Sequence, residues 1–254
     1  MHKDHSKHQF ALFFARASEL ASLHSKDDVI TIDDSQLFHR ICNVLRLSPN
    51  ELYIIFDKKQ HIVFQLVSTS KKNIVTSKII SIEPNQISKP HITFLLPLLK
   101  RDAFKETLYS LTEIGASEII PIITGKTHRS ENINRSPERL ERIIHAAAEQ
   151  SKNFSFPVLH KSTLLKDTLS ELHSGPRLFF DPDGKNILPV VTEINNTKAS
   201  HITLMVGPEA DLLPEEKQQL HENGFTFCKL TQTVLRAQQA AVVSLGIFRS
   251  ILKQ

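Results

Sequence analysis

A chain of 254 residues that is 40% hydrophobic and 23% charged has a globular protein's composition, with apolar material for one large domain or two modest ones. Two cysteines far apart, Cys42 and Cys228, argue against a disulfide framework or a Cys-x-x-Cys zinc site, and no apolar run approaches membrane-spanning length. The net charge of +4, to which thirteen histidines can add, is compatible with a polyanionic partner without requiring one.

Met1 to His8 is too polar for a signal peptide, and its three histidines read as a solvated terminus rather than a metal site. No metal and no membrane are expected, and the cytoplasm is the expected compartment. From residue 10 to 82 the chain reads mostly as strands: Phe10–Phe14, Val29–Ile32, Leu52–Phe56, His61–Val67 and Ile74–Ile82 are short, rich in β-branched or aromatic residues and separated by polar turns. Asp57 to Gln60 suits a hairpin connection. Leu37, Ile41, Val44 and Leu45 follow helical spacing, with Asp34 or Ser35 as N-cap. Several strands about one helix suggest a small β-barrel over residues 1–83.

Two prolines in Glu83 to Pro90 mark a linker, and a second domain is expected over 90–254. His91–Leu96 reads as a strand. A helix capped by Asp102 and ended by Gly115 follows, then a strand from Glu118 to Thr124. Ser136-Pro137 opens another helix, burying Leu140, Ile143, Ile144 and Ala147. The loop between them carries Lys126, His128, Arg129 and Arg135, a basic stretch suited to phosphate contacts. Gly125-Lys126-Thr127 is no phosphate-binding P-loop, because the first glycine that motif needs would stand where Ile120 is. Arg177–Asp181 reads as a strand ending in the turn Pro182-Asp183-Gly184, and Lys185 to Ser200 as a polar connection or short helix. Strands alternating with helices predict a right-handed parallel α/β sheet.

The stretch from His201 to Leu245 is the most informative. Ile202–Val206 is an apolar strand breaking into Gly207-Pro208-Glu209, and Phe225–Leu230 a second strand followed by Thr231-Gln232-Thr233-Val234-Leu235-Arg236. An alanine-rich helix closes the chain. Each strand delivers a loop to one edge of the sheet, where open α/β folds place their ligands.

These residues resemble the knotted SPOUT methyltransferases, and within them the bacterial family that methylates N3 of a uridine in 16S ribosomal RNA. Other segments are similar to that family too: Phe38-His39-Arg40-Ile41-Cys42-Asn43-Val44-Leu45-Arg46, Thr112-Glu113-Ile114-Gly115, Arg129-Ser130 and Glu149-Gln150-Ser151. The resemblance implies an N-terminal PUA-like RNA-binding barrel and a C-terminal parallel sheet with flanking helices, knotted at about 201–245. S-adenosylmethionine would be the methyl donor, and 16S rRNA in its decoding-centre region, on the assembled small subunit, the substrate. The residues it singles out for the donor are Phe180, Gly207, Pro208, Glu209, Leu230, Thr231, Val234, Leu235 and Ala240. Arg236 and Glu209 are the catalytic candidates; His39, Arg40, Arg46, Lys126, Arg129 and Arg135 are the RNA-binding ones.

Methyl transfer to N3 of uracil needs loss of a weakly acidic imide proton and stabilisation of the charge left on the flanking carbonyls, work suited to a guanidinium. Gly207 would let backbone approach the donor closely. The alanine-rich last helix suggests packing against a second copy, a homodimer through the C-terminal domain.

The chain departs from the family where Gly-Pro-Glu-Gly-Gly-Phe becomes Gly207-Pro208-Glu209-Ala210-Asp211-Leu212. It departs again at Thr231, Thr233 and Gln238, where a glycine, an arginine and a glutamate usually stand. A non-catalytic RNA-binding or ribosome-assembly protein with a degenerate donor pocket is therefore a second expectation. A methyltransferase with another RNA target is a third.

Overall fold

The computed structural model describes residues 9–70, 73–127 and 137–252, and divides into two compact units. One runs to Gln86 and includes Ala148–Ser155; the other holds Ile87–Ala147 and Phe156 onward.

In the first unit, β1 (Phe10–Phe13), β2 (Val29–Asp33), β3 (Leu52–Phe56), β4 (Gln60–Ser70) and β5 (Ile74–Pro84) form one sheet in the order β1-β3-β4-β5-β2. β1 runs parallel to β3 and the other pairs are antiparallel. All five strands correspond to those expected from their β-branched and aromatic residues and the polar turns between them. Asp57 closes the β3–β4 turn: its Oδ1 accepts from Lys59 N at 2.7 Å and Gln60 N at 3.0 Å. Leu12, Ile30, Ile41, Tyr53, Phe64 and Val75 share the core of this unit.

The helix expected at 37–45 divides in two. Asp34 caps α2 (Ser35–His39) by accepting from Leu37 N at 2.8 Å, and the chain then widens into a π-helical turn, Arg40–Val44. A helix missing from the sequence reading, α1 (Ala17–Leu23), packs Ala17 into the core. Its apolar positions, Ala17, Leu20, Ala21 and Leu23, span only seven residues and half of them are alanine, too short and weak a pattern to reveal it.

The second unit is built on a parallel sheet. Its strands are β6 (His91–Pro97), β7 (Glu118–Ile123), β8 (Val158–Leu159), β10 (Arg177–Asn186), β11 (His201–Val206) and β12 (Phe225–Lys229), in the order β12-β10-β11-β6-β7-β8. The short β9 (Thr163–Leu164) pairs with β7 as well. Between them lie α3 (Arg101–Ile114), α4 (Pro137–Ser151), α5 (Leu165–Leu169), α6 (Ile187–Thr197) and α7 (Pro214–Glu222), and α8 (Ala237–Ile251) follows β12. On one face, Leu95, Ile122, Phe179, Met205, Leu212 and Leu220 pack together; α3 and α8 pack on each other, and α8 also meets β11.

Two expectations need correction. Asp102 is not the cap of α3: the cap position is Lys100, and Asp102 lies in the first turn, where its charge still favours the helix N-terminus. The strand expected over Arg177–Asp181 runs on as β10 to Asn186, and of the two forms expected for residues 185–200 the helix is the one found: the eleven-residue α6, whose Asn186 side chain accepts from Leu188 N and which buries Ile187, Val191 and Ile194. Pro189 and a run of Asn and Thr obscure this helix in the sequence, yet proline is tolerated in a first turn, where backbone N–H groups have no intrahelical partner.

Candidate active site

Register brings three chain segments together at the C-terminal edge of the parallel sheet. Phe180 of β10 pairs with Val206 of β11 on one side and with Cys228 of β12 on the other. The bulge of β10 that follows Phe180 and the segments that follow Val206 and Lys229 therefore lie side by side at this edge. Between them and the start of α8 lies a cavity of about 510 Å³.

Of the nine residues expected to hold a donor, Phe180, Gly207, Pro208, Glu209, Val234, Leu235 and Ala240 line this cavity. Leu230 and Thr231 line an adjoining recess of about 50 Å³ that shares Phe180, Leu235 and Ala240 with it. Thr231 turns its hydroxyl inward to its own loop, donating to Thr233 O at 2.6 Å. Arg236 also lines the cavity, exposed, as the extended residue before α8; among the described residues no ion pair engages it. Glu209 is exposed too, and accepts from Lys100 N at 3.2 Å.

The two glycines of this edge differ in what they answer to. A Cβ on Gly184 would lie 2.5 Å from Cys228 N and 2.6 Å from Phe227 C, so the close approach of the bulged part of β10 to β12 excludes every other residue. A Cβ on Gly207 would meet nothing nearer than 3.6 Å, from Asp211 Oδ1 and Phe179 Cζ. Protein packing does not require glycine at 207; the space in front of it belongs to the cavity.

The loop after β11 is held from several sides. Lys126 Nζ donates to Ala210 O at 2.8 Å, and buried Glu216 accepts from Gly125 N and from Leu213 N, each at 2.8 Å. Lys217 Nζ bridges Asp181 at 2.8 Å and Asp211 at 2.9 Å. Burial opposes the Lys217 charge, but the hydrogen bonds and charges of Asp181 and Asp211 outweigh it and raise its pKa above the ordinary lysine range. Asp211 sits in the left-handed backbone region, φ 60°. Its departure from glycine is thus accommodated, since Asp tolerates that conformation and its carboxylate has a cationic partner. Asp181, Asp183, Lys217 and Gln238, which the sequence reading did not select, also line the cavity. Only the position of β10 between β11 and β12 reveals the aspartates, and strand order is not local information.

The other expected contacts separate. Lys126 is committed to the loop after β11, through Ala210 O. Arg129 and Arg135 lie outside the described residues, as do His128 and Ser136. In the first unit, His39 and Arg46 are exposed, His39 lying 2.9 Å from Asn43 Nδ2. Arg40 is not free: its guanidinium grips both oxygens of Glu149 at 2.6 Å. Both cysteines are unpaired, and burial pushes the Cys228 thiol up to about 11. Among the described residues no group of three or more metal-ligating side chains is arranged to hold an ion, and no helix is long and apolar enough to cross a membrane.

The family model for the RNA methyltransferase domain matches residues 86–249, and the chain belongs to that family. Within it, the resemblance is to the small-subunit ribosomal RNA type. The chain is 27% identical over 220 residues to ribosomal RNA small subunit methyltransferase E of Rickettsia conorii, covering 83% of this chain and 85% of the relative. It is 26% identical over 230 residues to ribosomal RNA small subunit methyltransferase E 2 of Borreliella burgdorferi, covering 88% and 92%. The crystal structure of ribosomal RNA small subunit methyltransferase E from Neisseria gonorrhoeae bound to S-adenosyl methionine superposes with a TM-score of 0.80 at 22% identity, covering 96% of this chain and 98% of that one.

Proposed function

We propose that the chain transfers a methyl group from S-adenosylmethionine to small-subunit ribosomal RNA, at N3 of a uridine in the decoding-centre region of the assembled subunit. The observation that carries this reading is the cavity at the C-terminal edge of β10, β11 and β12, where Gly207 stands without any packing reason of its own. A nucleoside donor fits such a site: Phe180, Val206 and Leu235 supply apolar walls, and the loop backbone at Gly207 and Pro208 can meet the polar edge of a base. The expected knot would comprise residues 201–245, and the first unit would act as a PUA-like RNA-binding barrel with His39 and Arg46 toward phosphate.

S-adenosylmethionine, when bound, supplies an electrophilic methyl group. Arg236, which lines the cavity and forms no ion pair among the described residues, can hold the uracil carbonyls and stabilise the negative charge that appears when N3 loses its proton. Glu209 is held by Lys100 N at the cavity wall and serves to orient the donor or accept that proton. The homodimer belongs to the same reading. Val234, Val243 and Ile251 leave apolar surface exposed at and beside α8, which a second copy would cover.

Calorimetric titration with S-adenosylmethionine tests the donor site. Gly207→Ala adds only a Cβ that the protein itself has room for, so its melting temperature should match wild type while donor affinity falls at least about tenfold, equivalent to about 1.4 kcal/mol. Unchanged affinity in that variant would move the donor elsewhere. Absence of donor binding by wild type, with or without small subunits, would favour the non-catalytic RNA-binding alternative. Transfer of labelled methyl to small subunits, lost in Arg236→Ala by about 100-fold or more, tests the catalytic assignment.

A further inference from the structure

The charges around the cavity are unusual for a protein whose substrate is a polyanion. Among the described residues, four carboxylates, Asp181, Asp183, Glu209 and Asp211, line it against two cations, Lys217 and Arg236, a net of −2. A phosphate would be repelled by that balance, whereas a ligand with an added positive charge would gain from it. The carboxylates are not equivalent. Asp181 is buried and spent on structure, its Oδ1 accepting from Asp183 N at 2.9 Å and its Oδ2 from Lys217. Asp211 is different: Lys217 holds its Oδ2, while its Oδ1 accepts from Leu212 N at 2.8 Å and lies 3.6 Å from where a Gly207 Cβ would be. A carboxylate oxygen therefore stands beside the open space in front of the glycine.

We propose that Asp211 is a specificity-determining residue of the donor site, favouring the positively charged sulfonium of the donor over the neutral thioether of the demethylated product, and that Lys217 is the residue that positions it. This rests on reading the cavity as the methyl-donor site. S-adenosylmethionine and S-adenosylhomocysteine share an adenosine, an ammonium and a carboxylate; they differ by one methyl group and one positive charge. A fixed negative charge also acts on the ammonium and carboxylate that both ligands carry, but that part cancels in the ratio of their affinities, which reports the sulfonium alone. Lys217 cancels part of the charge, yet it fixes the carboxylate in one place by tying it to Asp181 at the end of β10. With two carboxylates on one ammonium, the bridge keeps a net negative charge. Asp211 is more than half exposed, so solvent screens the effect and keeps it modest.

Titrations of the full chain with S-adenosylmethionine and with S-adenosylhomocysteine, at low and at high salt, read the proposal directly. Asp211→Asn is the main variant, because asparagine also tolerates a positive φ and still accepts from Lys217; Asp211→Gly restores the family's residue without backbone strain. In both, the affinity ratio of donor to product should fall about three- to tenfold at low salt, with product affinity within about twofold of wild type, and the fall should shrink at high salt. Lys217→Met, which retains an apolar stem, should weaken both ligands and leave the ratio at or above the wild-type value. A ratio unmoved in Asp211→Asn, or equal losses for both ligands, would overturn the proposal and leave Asp211 as a structural rim charge. Wild type binding neither nucleoside, with small subunits present or absent, would instead remove the donor reading itself and this proposal with it.

Discussion

The guanidinium of Arg40 lies 2.6 Å from both oxygens of Glu149, and Phe13 N donates to the same carboxylate at 2.7 Å. From sequence, Arg40 and Arg46 look alike, two cations off the apolar stripe of one short helix. The π-helical turn separates them: Arg40 turns onto a partner 109 residues away, while Arg46 reaches the surface with φ 54°. The two should therefore respond differently to removal. Glu149→Ala leaves the Arg40 charge and a backbone N–H without their acceptor, and should cost about 1–3 kcal/mol in urea denaturation. Part of that loss is tempered by the exposure of Arg40, whose side chain is 37% accessible. Arg46→Ala should leave the denaturation midpoint unchanged. If Arg46 meets a phosphate, that variant weakens RNA binding and lowers the slope of log affinity against log salt by about one. Equal stability losses in both variants would contradict this division.

At the scale of elements, α8 (Ala237–Ile251) shows what periodicity can and cannot reveal. Its apolar residues were legible as a helix, and Arg236 falls at its N-terminal boundary as expected. Their number suggested a surface turned toward a second copy. Most of that surface is used within the chain: Ala237, Ala241, Ser244, Leu245 and Phe248 are buried, with α8 packed on α3 and β11. Truncating Phe248 to alanine should cost about 3–5 kcal/mol in chemical denaturation, and Ile251→Ala, at an exposed position, within about 0.5 kcal/mol. A Phe248→Ala loss under 1 kcal/mol would mean the helix packs more loosely than its burial implies. The same contrast runs through the fold. Strands with alternating or continuous apolar runs, and the Gly115 stop of α3 at φ 100°, were legible because each signal is local. The lining of the cavity was legible in part, through Gly207, Pro208 and Leu235. Asp181 and Lys217 were not: they reach the cavity only because β10 is inserted between β11 and β12, while α7 follows the loop after β11.

Across the parallel sheet as a whole, the two edges carry opposite chemistry. The C-terminal edge gathers the carboxylates of the cavity, and the N-terminal edge gathers histidines at the first residues of its strands. His91 opens β6 and His201 opens β11, their ring centroids 5.1 Å apart; His173 lies 5.0 Å from His201 and 6.5 Å from His91. Glu118, the first residue of β7, approaches His91 Nε2 at 3.5 Å and His160 Nε2 at 3.8 Å. Among the described residues His91 Nε2 is buried with no hydrogen-bond partner, and the Arg249 guanidinium sits next to this strand start, donating to Pro90 O at 2.7 Å. Burial holds the His91 pKa below the ordinary histidine value, and the charges of His201 and His173 add to that, while Glu118 opposes it. The folded chain therefore binds less proton at His91 than the unfolded chain does. Stability linked to this group is complete above the ordinary histidine pKa of about 6.5 and is lost as pH falls below it toward the depressed folded value. Melting temperature should fall between pH 7.5 and 5.5, each kcal/mol lost lowering it by about 2–4 °C in a chain of this size. His91→Gln removes the titrating ring while leaving Glu118, His173 and His201 in place, and should flatten that part of the profile, whatever its effect on stability at pH 7.5. A wild-type profile already flat over this range, or a His91→Gln profile just as steep, would show that His91 contributes nothing to the acid sensitivity of the sheet.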